Sequence, residues 1–442
     1  MYSSEIEELL EGNGIETGDR IEISREGEGV TKEKFAGILM PRPDVGDNSI
    51  IVIKLDNGYN IGVRFGKGTS IKKTKERKTM PEAHGAAGKQ DESLPKVAII
   101  STGGTIINKI DYETGGVYPL TKPEELLRDI PELAGIANVH VENLMSVASE
   151  DLTPKEWVRI AKSTADALNS GCRGVVIMHG TDTMHYTSAA LSFMLGEVTG
   201  PVVLTGAQRS SDRGSSDAFM NLTCAVRIAA ESDIGEVGIC MHADSSDDKC
   251  TFIRGTKARK MHTSRRDAFR AINDKPIAEV RRDGAIKYTG RYRKARRSGK
   301  VKAETGFEQK VALLKVYPGS DPGIVGFYAK NGYKGMILEG TGLGHTPIAW
   351  IDTLRAAIES GIVIGMTSQT IYGRVNDKVY STLRRLAQAG VVYCEDMTPE
   401  TAYVKLGFLL GSRKKGEAAE LLGKDMAGEI TSRSDTETRY ME

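Results

Sequence analysis

Four times between residues 96 and 245 an apolar run stops abruptly at a small polar cluster: "KVAIISTGGT", "GVVIMHGTDT", "PVVLTGAQRS" and "EVGICMHADS". Runs this short and this rich in Val and Ile, spaced by segments of helical period such as "WVRIAKSTADALNS", read as strands buried on both faces. Strand and helix in alternation predict βαβ units and a parallel sheet, whose ligands sit beyond the carboxyl ends of the strands. The polar clusters fall at those ends. A smaller set follows in "KVALLKVYPG", "GYKGMILEGTGLG" and "GIVIGMTSQT". The expected fold class is therefore α/β, with a parallel-sheet body in two lobes.

Ahead of residue 96 the pattern is different. "DRIEIS", "KFAGILM" and "NSIIVIKLDNGYNIGVRF" alternate apolar and polar residues, and the last is broken by an Asp-Asn-Gly turn signal of the kind hairpins use. Residues 1–75 are expected to form a small, SH3-like β-barrel domain. Residues 76–95 are charged, contain Gly, Ala and Pro, and read as a linker. The body then divides into lobes at 96–305 and 306–415. A charged tail, 416–442, is expected to be only partly ordered.

A chain of 442 residues suits two or three domains, and a formal net charge of +1 offers no global attraction for nucleic acid or membrane. Five cysteines without a CxxC pair fit a reducing compartment and suggest neither a disulfide framework nor a zinc site. No metal site is expected, because His242, His262 and His345 are too dispersed. The N-terminus lacks the character of a signal peptide, and no apolar run approaches the roughly 20 residues that span a bilayer. A soluble cytoplasmic protein is the expectation.

The first strand end, "STGGTIINK", places two glycines between threonines, so the backbone can turn tightly near a small ligand with the Thr102 and Thr105 hydroxyls in the crevice. It lacks the Gly-Lys-Ser/Thr of a phosphate-binding Walker loop. The second strand end sets a hydroxyl beside a carboxylate at Thr181 and Asp182. A neutral threonine is a poor nucleophile and needs a base to attack a carbonyl carbon.

"TGGTI" and "HGTDTM", in that order, resemble the paired signatures of the L-asparaginase family, amidohydrolases that use threonine. "TGAQRSSDRGSSDAFMNL" and "KMHTSRRDAF" resemble the family's later segments, so the likeness covers about residues 96–410. It implies catalytic roles for Thr105, Thr181, Asp182 and Lys260, with Ser149 binding substrate and Glu150 standing where many members carry glutamine. A tyrosine on the mobile loop falls on Tyr118 or Tyr112. A lysine held against Thr181 and Asp182 in a partly dry crevice can accept a proton. Backbone amides around Gly103, Gly104 and Gly180 can stabilise an oxyanion. His179 reads as a packing residue, and Asp217 and Asn221 as organisers of the crevice or of a subunit contact.

A barrel ahead of such a body resembles the ammonia-producing subunits of archaeal tRNA-dependent amidotransferases. The resemblance implies a glutaminase without a cofactor of its own. It also implies a partner protein that binds Glu-tRNA(Gln), activates the glutamyl ester with ATP and Mg2+ and receives the ammonia. A homodimer within a heterotetramer is implied as well. The alternatives are a free-standing L-asparaginase, and an RNA-binding or scaffold protein with a vestigial amidase body. Residues 281–302 hold ten Lys/Arg against one acidic residue, with Tyr288 and Tyr292 interleaved. That stretch reads either as a solvated hairpin insertion or as a contact for RNA phosphates or an acidic partner.

Overall fold

The computed structural model describes residues 2–434 apart from positions 28–29, 41–46, 56–59, 67, 75–90, 104–107, 111–116, 120–129, 210–215 and 297. Near the N-terminus a helix, α1 (Ser4–Gly12), precedes five strands: β1 (Arg20–Gly27), β2 (Val30–Leu39), β3 (Ile50–Lys54), β4 (Asn60–Arg64) and β5 (Thr69–Lys73). They form one antiparallel sheet in the order β4-β3-β2-β1-β5. The expected strands pair antiparallel, with Lys54 opposite Asn60 and Ile50 opposite Arg64, and the Asp-Asn-Gly between them lies outside the described residues. Alternation explains the core: Ile21, Ile23, Ile51 and Ile53 turn inward with Ile6 and Leu10 of α1 and are buried. Buried Asp19 pairs with Lys73 at 2.6 Å, tying the start of β1 to the end of β5.

The body begins at β6 (Lys96–Ser101). Two short strands follow, β7 (Asn108–Ile110) and β8 (Val117–Pro119), and form a hairpin. The sheet continues with β9 (Asn138–Asn143), β10 (Gly174–Met178), β11 (Val202–Thr205), β12 (Val237–His242) and β13 (Lys249–Arg254). Next come the small hairpin β14 (Ala258–Lys260) and β15 (Phe269–Ala271), then β16 (Ala278–Arg281) and β17 (Ile286–Tyr288). The eight-stranded sheet runs β17-β16-β13-β12-β11-β10-β6-β9. It is parallel from β9 to β12 and antiparallel from β12 to β17. The expected parallel sheet is thus present in four of its seven pairings. The connection from β12 to β13, residues 243–248, is too short for a helical crossover and reverses the chain there.

Helices α2 (Pro154–Asn169), α3 (Met184–Leu195) and α4 (Ala218–Glu231) lie between the parallel strands in sequence. Helix α2 starts at a capping box, with Thr153 and Glu156 exchanging bonds, and at Pro154 in the first turn. The second lobe is the parallel sheet β18 (Val311–Lys315), β19 (Gly335–Gly340), β20 (Val363–Ser368) and β21 (Val392–Tyr393). With it come α5 (Gly323–Lys330), α6 (Trp350–Glu359), α7 (Ser381–Gln388), α8 (Pro399–Ser412) and α9 (Lys415–Leu422). One core joins the lobes, and Phe193 of α3 stacks on Phe408 of α8 at 6.1 Å. Among the described residues no helix is long and apolar enough to cross a membrane.

Part of the charged tail expected to be only partly ordered is packed, with Ala418, Leu422, Ala427 and Glu429 buried. Glu429 and Lys405 are wholly buried and paired at 2.6 Å, and Glu429 also accepts from the amides of Met426 and Ala427. Lys257 and Asp396 form a second buried pair at 2.8 Å, and Asp396 accepts from the Thr431 amide and hydroxyl. Charges that pair inside a core are indistinguishable by composition from solvated ones, which is why the segment reads as loose in sequence. Replacing Glu429 with Ala strands the Lys405 ammonium in the core. The expected cost is about 3–5 kcal/mol in denaturant unfolding, with faster proteolysis after residue 423. A Glu429→Ala chain as stable and as resistant as the parent would refute this account.

Candidate active site

The C-terminal ends of β6 and β10 are bound to one another. Thr102 donates its amide to the Met178 carbonyl at 3.0 Å and its hydroxyl to the same oxygen at 2.9 Å. Its side chain is therefore a structural tie and not the crevice hydroxyl expected from the sequence. Gly103 follows at φ +112°, where a Cβ would also fall 2.5 Å from the Val147 carbonyl oxygen, so a glycine is required. Thr105 and Gly104 lie outside the described residues. Tyr118 lies in β8 opposite Lys109, and its side chain, like Tyr112 as a whole, is also outside what is described.

At the end of β10 the chain passes through His179 and Gly180 to Thr181 and Asp182, and enters α3. His179 is buried, donates from Nδ1 to the Gly180 carbonyl at 2.6 Å and accepts from Thr187 at 2.9 Å, as a packing histidine should. Ser149 is buried in a short 3₁₀ turn (Ser149–Asp151) directly against Gly180: a Cβ at position 180 would lie 2.8 Å from Ser149 Cβ and Oγ. The Thr183 hydroxyl donates to the Ser149 carbonyl at 2.6 Å and holds that turn to the strand end. Glu150, exposed, has Oε2 3.4 Å from Ser149 Oγ.

Lys260, at the end of β14, completes the group. Its Nζ donates to Thr181 Oγ1 at 2.9 Å and to Asp182 Oδ1 at 2.7 Å. The lysine side chain is only 10% exposed whereas Asp182 is 67% exposed, so the pair opens to solvent on the carboxylate side. Its hairpin is stiffened by buried Asp267, which accepts from Arg265 at 2.8 and 2.9 Å and from Arg270. Arg266 donates to Asp247 and to the Ser245 carbonyl, and Arg270 to the Ala243 carbonyl, fastening the hairpin to the end of β12. His242 spans Asn221 Oδ1 at 2.6 Å and Asp247 Oδ1 at 3.1 Å, and Asn221 donates to the Gly206 carbonyl at 2.9 Å. Asp217 accepts from the amides of Gln208 and Arg209, so both Asp217 and Asn221 organise loops.

Five of the expected residues thus meet in two adjoining clusters, Thr181 with Asp182 and Lys260, and Ser149 with Gly180. Sequence reading did not single out Thr183, Asp267 or Arg266. Thr183 stands inside "HGTDTM", and the two others inside "KMHTSRRDAF", but only their bonds reveal what they hold. His185 was also missed: it is buried on the first turn of α3, and burial, then repulsion from Arg259 and Lys260, pushes its pKa down to about 3. Among the described residues no group of three or more His, Cys, Asp or Glu is placed to hold a metal ion.

Burial also pushes the His179 pKa down to about 4, against a partial upward pull from the Gly180 carbonyl. An unfolded histidine titrates near ~6.5, so below that pH the unfolded chain binds protons that folded His179 and His185 refuse. Their contribution to stability is complete above that value and is lost as pH falls through about 4 and then about 3. The melting temperature of the parent should drop between neutral pH and the folded-state values, and His179→Gln should drop less steeply. Equal slopes would show that His179 is not held neutral.

Three family models match the chain: "GatD N-terminal domain" over 15–73, "Asparaginase, N-terminal" over 96–293 and "Glutaminase/Asparaginase C-terminal domain" over 310–421. The L-asparaginase of Thermococcus kodakarensis is 30% identical in sequence and superposes with a TM-score of 0.68, over 76% of this chain and 100% of that one. The GatD subunit of the glutamyl-tRNA(Gln) amidotransferase of Pyrococcus abyssi is 50% identical over 98% of this chain and its own full length. That of Pyrococcus furiosus is 51% identical over 96% of this chain and 97% of its own. At such identity over both domains, the chain belongs to the GatD family of glutamyl-tRNA(Gln) amidotransferase subunits.

Proposed function

We propose that the chain is the glutaminase component of a tRNA-dependent amidotransferase, hydrolysing the side-chain amide of glutamine and passing ammonia to a partner protein. The observation that carries this reading is the single Lys260 ammonium bonded to both the Thr181 hydroxyl and the Asp182 carboxylate at a strand end. In this reading a threonine, Thr105 or Thr181, attacks the amide carbon. Lys260, once it has yielded a proton to Asp182, takes the threonine's proton and delivers it to the amide nitrogen, whose bond to carbon then breaks to release ammonia. The acyl-enzyme is then hydrolysed to glutamate by water. Amides near Gly104 and Gly180 receive the oxyanion.

Ser149 and Glu150 bind the amino-acid end of the substrate, with the exposed Glu150 carboxylate facing its ammonium. A tyrosine, Tyr118 or Tyr112, is assigned to substrate binding. GatE is the partner that binds Glu-tRNA(Gln) and uses ATP and Mg2+ to convert it to Gln-tRNA(Gln); the chain itself requires no cofactor. It works as a homodimer within a heterotetramer, in the cytoplasm. The amino-terminal sheet domain, matched over 15–73 by "GatD N-terminal domain" and outside the asparaginase matches at 96–293 and 310–421, favours this over a free-standing asparaginase.

Ammonia release from glutamine and from asparagine, by the chain alone and with GatE and Glu-tRNA(Gln), tests the reading. Glutamine turnover should rise in the full complex, and Thr181→Ala should lower kcat by about 10²-fold or more. Fast asparagine hydrolysis by the lone chain, indifferent to GatE and tRNA, would make it an asparaginase instead. Gly180→Ala displaces Ser149 and should cost roughly 10²-fold in kcat/KM through misplacement of the substrate. An unchanged kcat/KM would remove Ser149 from the binding site.

A further inference from the structure

Beyond β17 the basic stretch does not form a detached solvated arm. It folds back as one wall of a cleft of about 830 Å³ whose other wall is the segment 425–433. At its floor Arg254 makes a two-pronged pair with buried Glu236, at 2.7 and 3.2 Å, and a second pair with Asp274. The same Arg254 donates to the Arg291 carbonyl, and Glu236 accepts from the Arg293 amide at 2.6 Å. The backbone at 291–293 is thereby fixed by a buried charge cluster. The side chains of Arg291 and Arg293 are exposed at the rim, and Arg433 is exposed on the facing wall.

None of these three arginines has an ion pair among the described residues; the Arg293 side chain donates only to the Met426 carbonyl, at 3.3 Å. The described lining holds five basic side chains against two acidic ones, and of these Arg254 and Asp274 are committed to each other. In a chain of net charge +1 this is a local cation excess built on a rigid base. Beside it, Tyr292 is anchored to Asp233 at 2.7 Å and stacks on Tyr288 at 5.0 Å and 20°, leaving Tyr288 43% exposed.

We propose that this cleft docks RNA, the arginines meeting backbone phosphodiesters and the Tyr288 ring offering a face to an unpaired base. Guanidinium forks suit phosphate oxygens, and aromatic faces stack on bases regardless of sequence. An acidic polypeptide would use the cations but has no need of the stacked tyrosine pair. That the RNA is the tRNA of the amidotransferase rests on the function proposed above. The cleft shares no lining residue with the Thr181–Lys260 site, so it positions the RNA and takes no part in amide hydrolysis.

The test measures binding of transcribed tRNA(Gln), and of an unrelated tRNA, to the complex with GatE across a salt series. Arg291→Gln/Arg293→Gln/Arg433→Gln should weaken both RNAs about tenfold or more. It should also flatten the plot of log affinity against log salt by about 2, at roughly 0.7–0.9 per lost phosphate contact. Tyr288→Ala should weaken binding with the salt slope unchanged. Melting temperature and tRNA-independent glutamine hydrolysis should match the parent in both variants. Unaltered RNA affinity and slope in the triple variant would overturn the proposal, as would failure to assemble with GatE, which would assign the cleft to the protein partner. Should the parent bind RNA through these arginines yet release no ammonia from glutamine, the docking surface stands and the amidotransferase reading falls.

Discussion

The contact on which the site depends is the Lys260 ammonium held between the Thr181 hydroxyl and the Asp182 carboxylate. Its two ends come from unlike parts of the sheet, a parallel strand end and a hairpin that follows the antiparallel turn-back. A long flexible lysine stem gains a defined direction only if its backbone is held, because ordering it costs rotamer entropy. The hairpin supplies this through Asp267, and Arg266 and Arg270 fasten it to residues 243–247. Switching from parallel to antiparallel pairing after β12 is thus what carries the lysine back to the crevice.

On the substrate side the constraint lies in the backbone. Gly180 lets the Ser149 turn approach within contact distance of the strand end, and Thr183 locks the approach with a hydrogen bond to the Ser149 carbonyl. Thr102 does the equivalent for β6 and β10. Two hydroxyls near the crevice therefore serve to hold strand ends together, and Thr181 is the one in this group that meets a cation. Hydroxyls of identical type divide into positioning and reacting roles by what lies opposite them, not by what they are.

Deeper in the body, charge is used for attachment. The pairs Lys257–Asp396 and Lys405–Glu429 are buried on both sides and bind residues 423–431 into the core. Removing two charges from water costs several kcal/mol, which their attraction offsets only where further bonds satisfy the remaining oxygens. The amides of Met426, Ala427 and Thr431 provide those bonds. Arg254 with Glu236 and Asp274 repeats the device under the basic cleft, and there the outcome is a rigid rim whose own arginines have no ion pair among the described residues.

Period and composition determined the α/β alternation, the small sheet domain ahead of it, and the strand ends as the places to look. They did so because burial on one or both faces writes itself into residue order. "HGTDT" placed hydroxyl beside carboxylate within one turn of chain, and resemblance alone joined them to Lys260, 78 positions away. Partnership across such a span has no period, so the tertiary structure had to bring the ammonium to its two oxygens. It also decided matters that local pattern misreads: Thr102 turned to a carbonyl, the sheet reversed after β12, and Glu429 of the presumed tail was paired in the core. Each of these depends on what lies opposite a residue in space, whereas sequence periodicity reports only which side of its own element a residue occupies.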